Sequence, residues 1–452
     1  MHVQMAKENK MGVMPVPRLV ITMSFPIMVS MLVQSLYNIV DSIFVARISE
    51  EALTATSIAY SAQMLQIAVA VGTGVGANAL ISRCLGAKQF DRANEAATTG
   101  LLLTVLSSLI FVLWGIFGTE VFVRRFSSGE TITALGTSYL HICQVYSTGL
   151  FLGTFFQRLL QATGRTFSSM LAQITGAVVN IVLDPIMIFG LFGCPEMGIT
   201  GAAIATVTGQ WAAAAIGLIL NIVQNKEIHF VFRNLRFRRE SVLAIYRVGA
   251  PTIITQACGS LMMAAMNAIL IMFSSTAVAF FGVYFKLQSF LFMPMNGLGQ
   301  GSLPIVGYNF GAGNSGRVRE TCRTSLTIGV GIAVVGMIVF MAFPEKLLHL
   351  FAASDAMIRM GVPALRIICV SCIPASVTMI IGYVISGLGN GLVNMTGTAI
   401  RQLIVLVPFV YLFGRLGGLD LIWFAFWISE LTAVIFAVIC LKKAFQKLRQ
   451  SA

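Results

Sequence analysis

Twelve stretches of about 20 or more mostly apolar residues dominate this chain. They lie near 18–46, 52–81, 94–117, 134–161, 167–191, 199–223, 243–273, 277–307, 322–343, 357–387, 392–413 and 418–441. A helix of that length spans the hydrocarbon core of a bilayer. Within lipid, every backbone N–H and C=O must find its partner inside the spanning structure, so runs of this length can only be helices. The expected fold class is therefore an all-α polytopic membrane protein. Composition agrees, with 57% hydrophobic and 10% charged residues and a mean hydropathy of +0.86, where a soluble domain carries about 25% charge. The formal charge of +13 would suit nucleic acid only if the basic residues shared one soluble face. They are dispersed between the apolar runs, so no nucleic-acid partner is expected. The eight cysteines lie mostly in or beside those runs, where a disulfide framework has no soluble module to brace. The first run, from about Leu19 to Ala46, is too long for a signal-peptide core and lacks a cleavage pattern, so it is expected to anchor the mature protein.

Basic residues set an orientation. They gather in the N-terminal leader (Lys7, Lys10, Arg18), after the second and fourth runs, and between the sixth and seventh, where Lys226, Arg233, Arg236, Arg238 and Arg239 lie. They gather again after the eighth run and in the tail. The alternate connections hold Arg47, Arg124, Arg125, Lys346, Arg359 and Arg415. By the positive-inside rule both termini are cytoplasmic and the protein sits in the cell (inner) membrane. The long basic connection also separates two copies. A shift of 225 aligns Pro26 with Pro251, Gly86-Ala87 with Gly311-Ala312, Arg92 with Arg317, Phe126 with Phe351, Gly136 with Gly361 and Gly164 with Gly389. An even number of crossings per copy makes the repeats parallel. The expectation is two six-helix lobes, 1–223 and 242–452, joined by a cytoplasmic basic linker at 224–241 and related by a pseudo-two-fold along the membrane normal. Such repeats frame a central site in transporters.

The candidate chemistry lies in acids inside those apolar runs. Asp41 sits in LVQSLYNIVDSIFVA and Asp184 in MLAQITGAVVNIVLDPIMIFG. An aspartate at mid-membrane costs about 2.5 to 3.5 kcal/mol on insertion scales, so it faces protein or water and marks function by default. Gln34, Asn38 and Asp41 recur at helical spacing, as do Asn180 and Asp184, with Pro185 freeing a backbone carbonyl beside them. A carboxylate in low dielectric takes up a proton more readily than one in water, so a proton gradient can load and unload it. The same oxygens of Asp41, Asn180 and Asp184 can instead hold a sodium ion, and the residues leave that choice open. In the second copy the in-span charges are Lys286, Arg401 and Glu430, with either base able to pair with the acid. Lys286, Arg401, Met266, Phe290 and Gln256 are the candidates there for a substrate cavity or gate. Gly72-Thr73-Gly74-Val75-Gly76 has the look of a nucleotide loop but lies within an apolar run, where close helix packing explains it. Cys369 and Cys372 form a CxxC within a span, and His141 reads as hydrogen-bonded structure. No nucleophile or histidine cluster suggests an enzyme, and no cofactor or obligatory protein partner is expected.

Several stretches together resemble the multidrug and toxic compound extrusion (MATE) transporters. They are QSLYNIVDSIFVARIS, SRCLGAKQFDRANEA, VVNIVLDPIMIFG, GLGQGSLPIVGYNFGAG and SGLGNG followed by Arg401. DPIMIFG and the N-terminal acids are most similar to the DinF-like branch and its MepA-type exporters. The resemblance implies a twelve-helix, two-lobed fold that exports bulky cationic or amphipathic drug-like molecules across the bilayer in exchange for protons or sodium. It also implies that Asp41, Asn180 and Asp184 form the cation-coupling site. A flippase of lipid-linked saccharide is the alternative on a related fold, and would call for a cationic cavity. A membrane-embedded enzyme is the more distant one.

Overall fold

The structure, a computed structural model, describes residues 9–127, 129–231, 238–351 and 354–450. Lys7, Arg233 and Arg236, named above for orientation, lie outside them. Among the described residues there is no strand. The first half runs through α1 (Lys10–Val13), α2 (Val16–Ala46), α3 (Glu50–Gly86), α4 (Phe90–Phe117), α5 (Thr119–Phe126), α6 (Glu130–Val145), α7 (Thr148–Ala162), α8 (Thr166–Phe189) and α9 (Ile199–Gln224). The second half runs through α10 (Arg239–Leu270), α11 (Ser275–Gly311), α12 (Ser315–Ala342), α13 (Pro344–His349), α14 (Asp355–Cys369) and α15 (Cys372–Gly387). It ends with α16 (Gly391–Ala399), a π-helical stretch Ile400–Val405, α17 (Leu406–Ile422) and α18 (Ala425–Gln450).

Among the described residues, ten helices are long and apolar enough to cross a membrane, taking Gly391–Ile422 as one, and α14 and α15, bent by 47° at their junction, make an eleventh. The corresponding pair in the first half, α6 and α7, is broken at Tyr146 and Ser147 and makes the twelfth crossing. The fold is that of an all-α membrane protein with six crossings in each half. Two boundaries differ from the sequence expectation. The eleventh crossing runs past 413 to Gly418, whose non-helical backbone (φ +68°, ψ −157°) breaks the helix before a short piece reaching Ile422, and the twelfth starts at Ala425.

The duplication is visible element by element. α3 and α11 start at 50 and 275 and end at 86 and 311, an offset of 225 at both ends. α4 and α12 repeat it at 90 and 315 and at 117 and 342. Even the caps recur. Ser49 Oγ accepts from the Ala52 amide at 3.0 Å, and Ser274 Oγ from the Ala277 amide at 3.0 Å, each satisfying an amide that the first helical turn leaves free.

Packing divides the protein into two compact units. One is Val29–Ala250; the other comprises the residues from Pro251 onward with those up to Met28. Both divisions fall inside a helix, α2 and α10, close to Pro26 and Pro251. Glycines explain how closely the helix starts pack within each unit. In the first unit, a Cβ on Gly249 of α10 would lie 2.8 Å from the Gly72 carbonyl of α3, and one on Gly76 would collide with the Ile245 carbonyl. In the second unit, a Cβ on Gly297 of α11 would lie 2.8 Å from the Met28 backbone, and one on Gly301 would collide with Ser24. The glycine run at 72–76 is thus a helix-packing surface, and its counterpart at 297–301 serves the same purpose. Backbone cannot yield as a side-chain tip can, so Gly76→Val and Gly301→Val should each cost about 3 kcal/mol or more. Gly282→Ala, with nothing within 4 Å of the added carbon, should be tolerated. Thermal unfolding of the purified variants checks both outcomes.

Candidate functional site

The site is assembled within the Val29–Ala250 unit by α2, α6, α8 and α9. α8 and α9 approach backbone to backbone: a Cβ on Gly176 would lie 2.8 Å from the Gly209 carbonyl, and one on Gly209 would lie 2.6 Å from the Gly176 carbonyl. That approach brings the polar groups one turn further along into contact. Asn180 Nδ2 donates to Asp184 Oδ1 on its own helix and to Thr206 Oγ1 on α9, both at 3.4 Å. Tyr139 of α6 lies beside Thr206, and Cys143 beside Tyr139. From α2, Gln34 accepts from Gln173 Nε2 of α8 at 2.6 Å and donates from Nε2 to the Tyr37 hydroxyl at 3.3 Å.

Asp41 and Asp184 meet at the centre. Their side chains lie within hydrogen-bonding reach of each other, and Asp184 is completely buried. Neither has a Lys or Arg partner among the described residues. Asp41 Oδ1, Asp184 Oδ2 and Asn180 Oδ1 are buried without an N–H or hydroxyl donor. Two carboxyl groups this close repel each other when both are charged in a low dielectric, so the arrangement favours a neutralising proton or cation. Oxygen-only donors of this kind suit a hard cation. A cavity of about 110 Å³ opens beside Asn180 and Thr206, lined also by Gln34, Tyr37, Gln173 and Gln210. It admits water or a small ion but not a drug-sized molecule, which needs roughly 300 to 1,000 Å³.

Gln34, Asp41, Asn180 and Asp184 are therefore brought together. Asn38 is not: it is exposed, and its carbonyl accepts from Ser42 Oγ at 2.8 Å. The wall of α2 facing α8 runs through residues 34, 37 and 41, and Asn38 turns off its edge. Spacing arguments missed Tyr37, Tyr139, Thr206, Gln173 and Gln210. A lone hydroxyl in an apolar run carries no signal; the recurrence of glutamines within spans was the one available.

In the second unit the in-span acid chooses Arg401 over Lys286: Arg401 Nη1 donates to Glu430 Oε1 at 3.2 Å. Lys286, Gln256 and Phe290 are exposed. Met266 is completely buried in a core with Phe280, Phe281 and Trp423, so it packs a core and lines no cavity. His141 Nδ1 faces the Gly115 carbonyl at 2.9 Å. Cys369 and Cys372 are buried free thiols.

Comparison with known proteins agrees with this architecture. The MatE family model matches residues 26–186 and again 251–412. The chain belongs to the MatE family. Its two matches begin 225 residues apart and end 226 apart, so the MatE unit occurs twice, as the helices do. A relative, the multidrug export protein MepA of Staphylococcus aureus (strain MRSA252), is 26% identical over 430 residues, covering 94% of this chain and 93% of the relative. MepA of Staphylococcus saprophyticus is 23% identical over 419 residues, covering 92% and 91%. An outward-facing conformation of a multidrug resistance MATE family transporter of the MOP superfamily superposes with a TM-score of 0.92 at 24% identity, covering 98% of this chain and 99% of that one. The protein is thus a multi-pass membrane transporter of the MatE family. If the Thr206 hydroxyl orients Asn180, then Thr206→Val, nearly unchanged in volume, should slow transport about five- to tenfold, the worth of one hydrogen bond, with little loss of thermal stability.

Proposed function

We propose that this protein is a secondary active multidrug exporter. Organic cations and amphipathic drugs leave the cell in exchange for protons or sodium ions bound at Asp41, Asp184 and Asn180. The reading rests on one observation above all: two acids in contact inside an apolar bundle, with acceptor oxygens that no protein donor satisfies. The names of the MepA relatives and of the matched multidrug resistance transporter support the cargo class.

The exchange follows from charge. With the pair neutralised by a proton or a sodium ion, the N-terminal half has no net attraction for an organic cation. When the ion leaves, the bare carboxylates attract one. Inorganic ion and organic cation thus exclude each other electrostatically, which is the differential affinity that an antiporter needs. Pro185, which lacks the N–H that would bind the Ile181 carbonyl, lets α8 bend beside Asp184 as the charge changes. Alternating access of the two halves, 1–223 and 242–452 with the basic linker at 224–241 between them, carries the cargo across. The protein sits in the cell (inner) membrane with both termini in the cytoplasm, a reading that the distribution of basic residues supports.

Uptake of ethidium into inverted vesicles under separately imposed proton and sodium gradients tests this. One of the gradients should drive uptake by the wild type, and Asp41→Asn and Asp184→Asn should abolish it while remaining folded. Normal transport by both variants would make the acids structural. A wild type that moves no dye under either gradient would favour a lipid-linked cargo instead.

A further inference from the structure

The second half also places an acid between its fifth and sixth crossings, at a neighbouring level: by the 225-residue offset Arg401 falls at Gly176 and Glu430 at Ala205, within a turn of Asn180 and Thr206. In the Val29–Ala250 unit, the fifth and sixth crossings, α8 and α9, face one another through Asn180, Asp184 and Thr206. The fifth and sixth crossings of the other copy face one another through Arg401 and Glu430. α8 and α16 begin 225 residues apart, at 166 and 391, but α9 and α18 begin 226 apart, at 199 and 425. The family matches already end 226 apart, at 186 and 412. Within the crossing itself the offset falls, Pro185 matching Pro408 at 223 and Phe189-Gly190 matching Phe413-Gly414 at 224, so the two copies differ in local register there. The fifth crossing of this copy contains the π-helical stretch Ile400–Val405. Such turns are rare and cluster at functional sites. Arg401 sits on this one.

The ion pair it makes is incomplete. The Arg401 and Glu430 side chains are 15% and 7% exposed, in contrast to the solvated Arg124 and Glu120 pair at 68% and 63%. Yet they share a single contact, and Arg401 Nε and Glu430 Oε2 are buried without partners, as are Gln402 Oε1 and Tyr284 Oη. Tyr284 meets Phe426, one turn before Glu430, with ring centroids 5.8 Å apart. A buried pair that serves rigidity is held by bidentate geometry and satisfied at its remaining atoms. This one resembles a carboxylate seat with a cation resting in it.

We propose that Arg401 is a tethered cation: its guanidinium occupies, in the second half, the kind of seat that Asp41 and Asp184 leave open to an exchangeable ion in the first. Glu430 is thereby permanently neutralised, the second half takes up no coupling ion, and removing the guanidinium turns Glu430 into a seat for a free monovalent cation. The comparison with the first half rests on the coupling role given to Asp41 and Asp184 above. The statement about Arg401 and Glu430 does not, and its test reads unfolding, not transport.

Thermal unfolding of the purified full-length wild type, Arg401→Ala, Glu430→Gln and the double variant should be followed with millimolar methylguanidinium or, as a control, choline. Arg401→Ala should melt below wild type, and methylguanidinium should raise its midpoint, since a ligand that binds the native state stabilises it. Wild type and the double variant should not respond. Equal shifts in all four proteins, or none in Arg401→Ala, would overturn the proposal. Should Arg401→Ala not fold, Arg401→Gln combined with Glu430→Gln decides: the double variant should recover stability that Glu430→Gln alone loses, and a double variant less stable than Glu430→Gln would overturn it.

Discussion

Two aspartates touching inside an apolar helix bundle are the constraint around which the N-terminal half is arranged. Asp184 has no solvent exposure, and no base offsets either acid. Charge at such a pair is costly, so the site favours a proton or a cation that neutralises it. Everything near the pair serves to hold the contact and to let it change. The mutual approach of Gly176 and Gly209 locks α8 to α9, which fixes Asn180 between Asp184 and Thr206. The Gln34 and Gln173 amides tie α2 to α8 further along. Pro185 leaves the segment beside the acids short of one backbone hydrogen bond, so strain can be relieved there at small cost.

Duplication supplied the same frame twice, and the two copies have diverged in charge more than in shape. α3 and α11 keep identical lengths, capping serines and glycine stripes, because a packed interface of backbones tolerates no added carbon. Polar positions are freer, provided that each buried charge is balanced. The first copy buries two acids with no base beside them among the described residues; the second balances one acid with an arginine.

The membrane fold was legible because run length and hydropathy are imposed by lipid. The repeat was legible because glycines and prolines mark turns and close contacts that few other residues can make. Asp41, Asn180 and Asp184 stood out for the same physical reason, an acid in hydrocarbon being too costly to be incidental. Thr206 did not, since a threonine hydroxyl in a helix can bond the carbonyl of its preceding turn, and Tyr139 reads as a packed aromatic ring. Asn38 was misplaced because spacings of three and four leave a spread of some tens of degrees around the helix, and only contacts decide which edge is used. The choice of Arg401 over Lys286, and the burial of Met266, depend on how neighbouring helices are rotated, which composition does not record.

The most direct test is cation release from purified protein in weakly buffered detergent solution when an organic cation such as tetraphenylphosphonium is added, followed at low and high sodium. If the acid pair binds drug and ion in exclusion, binding should release a proton or a sodium ion in fixed proportion to the drug bound, and neutralising either Asp41 or Asp184 should end the release. Drug binding whose affinity ignores both pH and sodium, with no cation appearing in solution, would contradict the account.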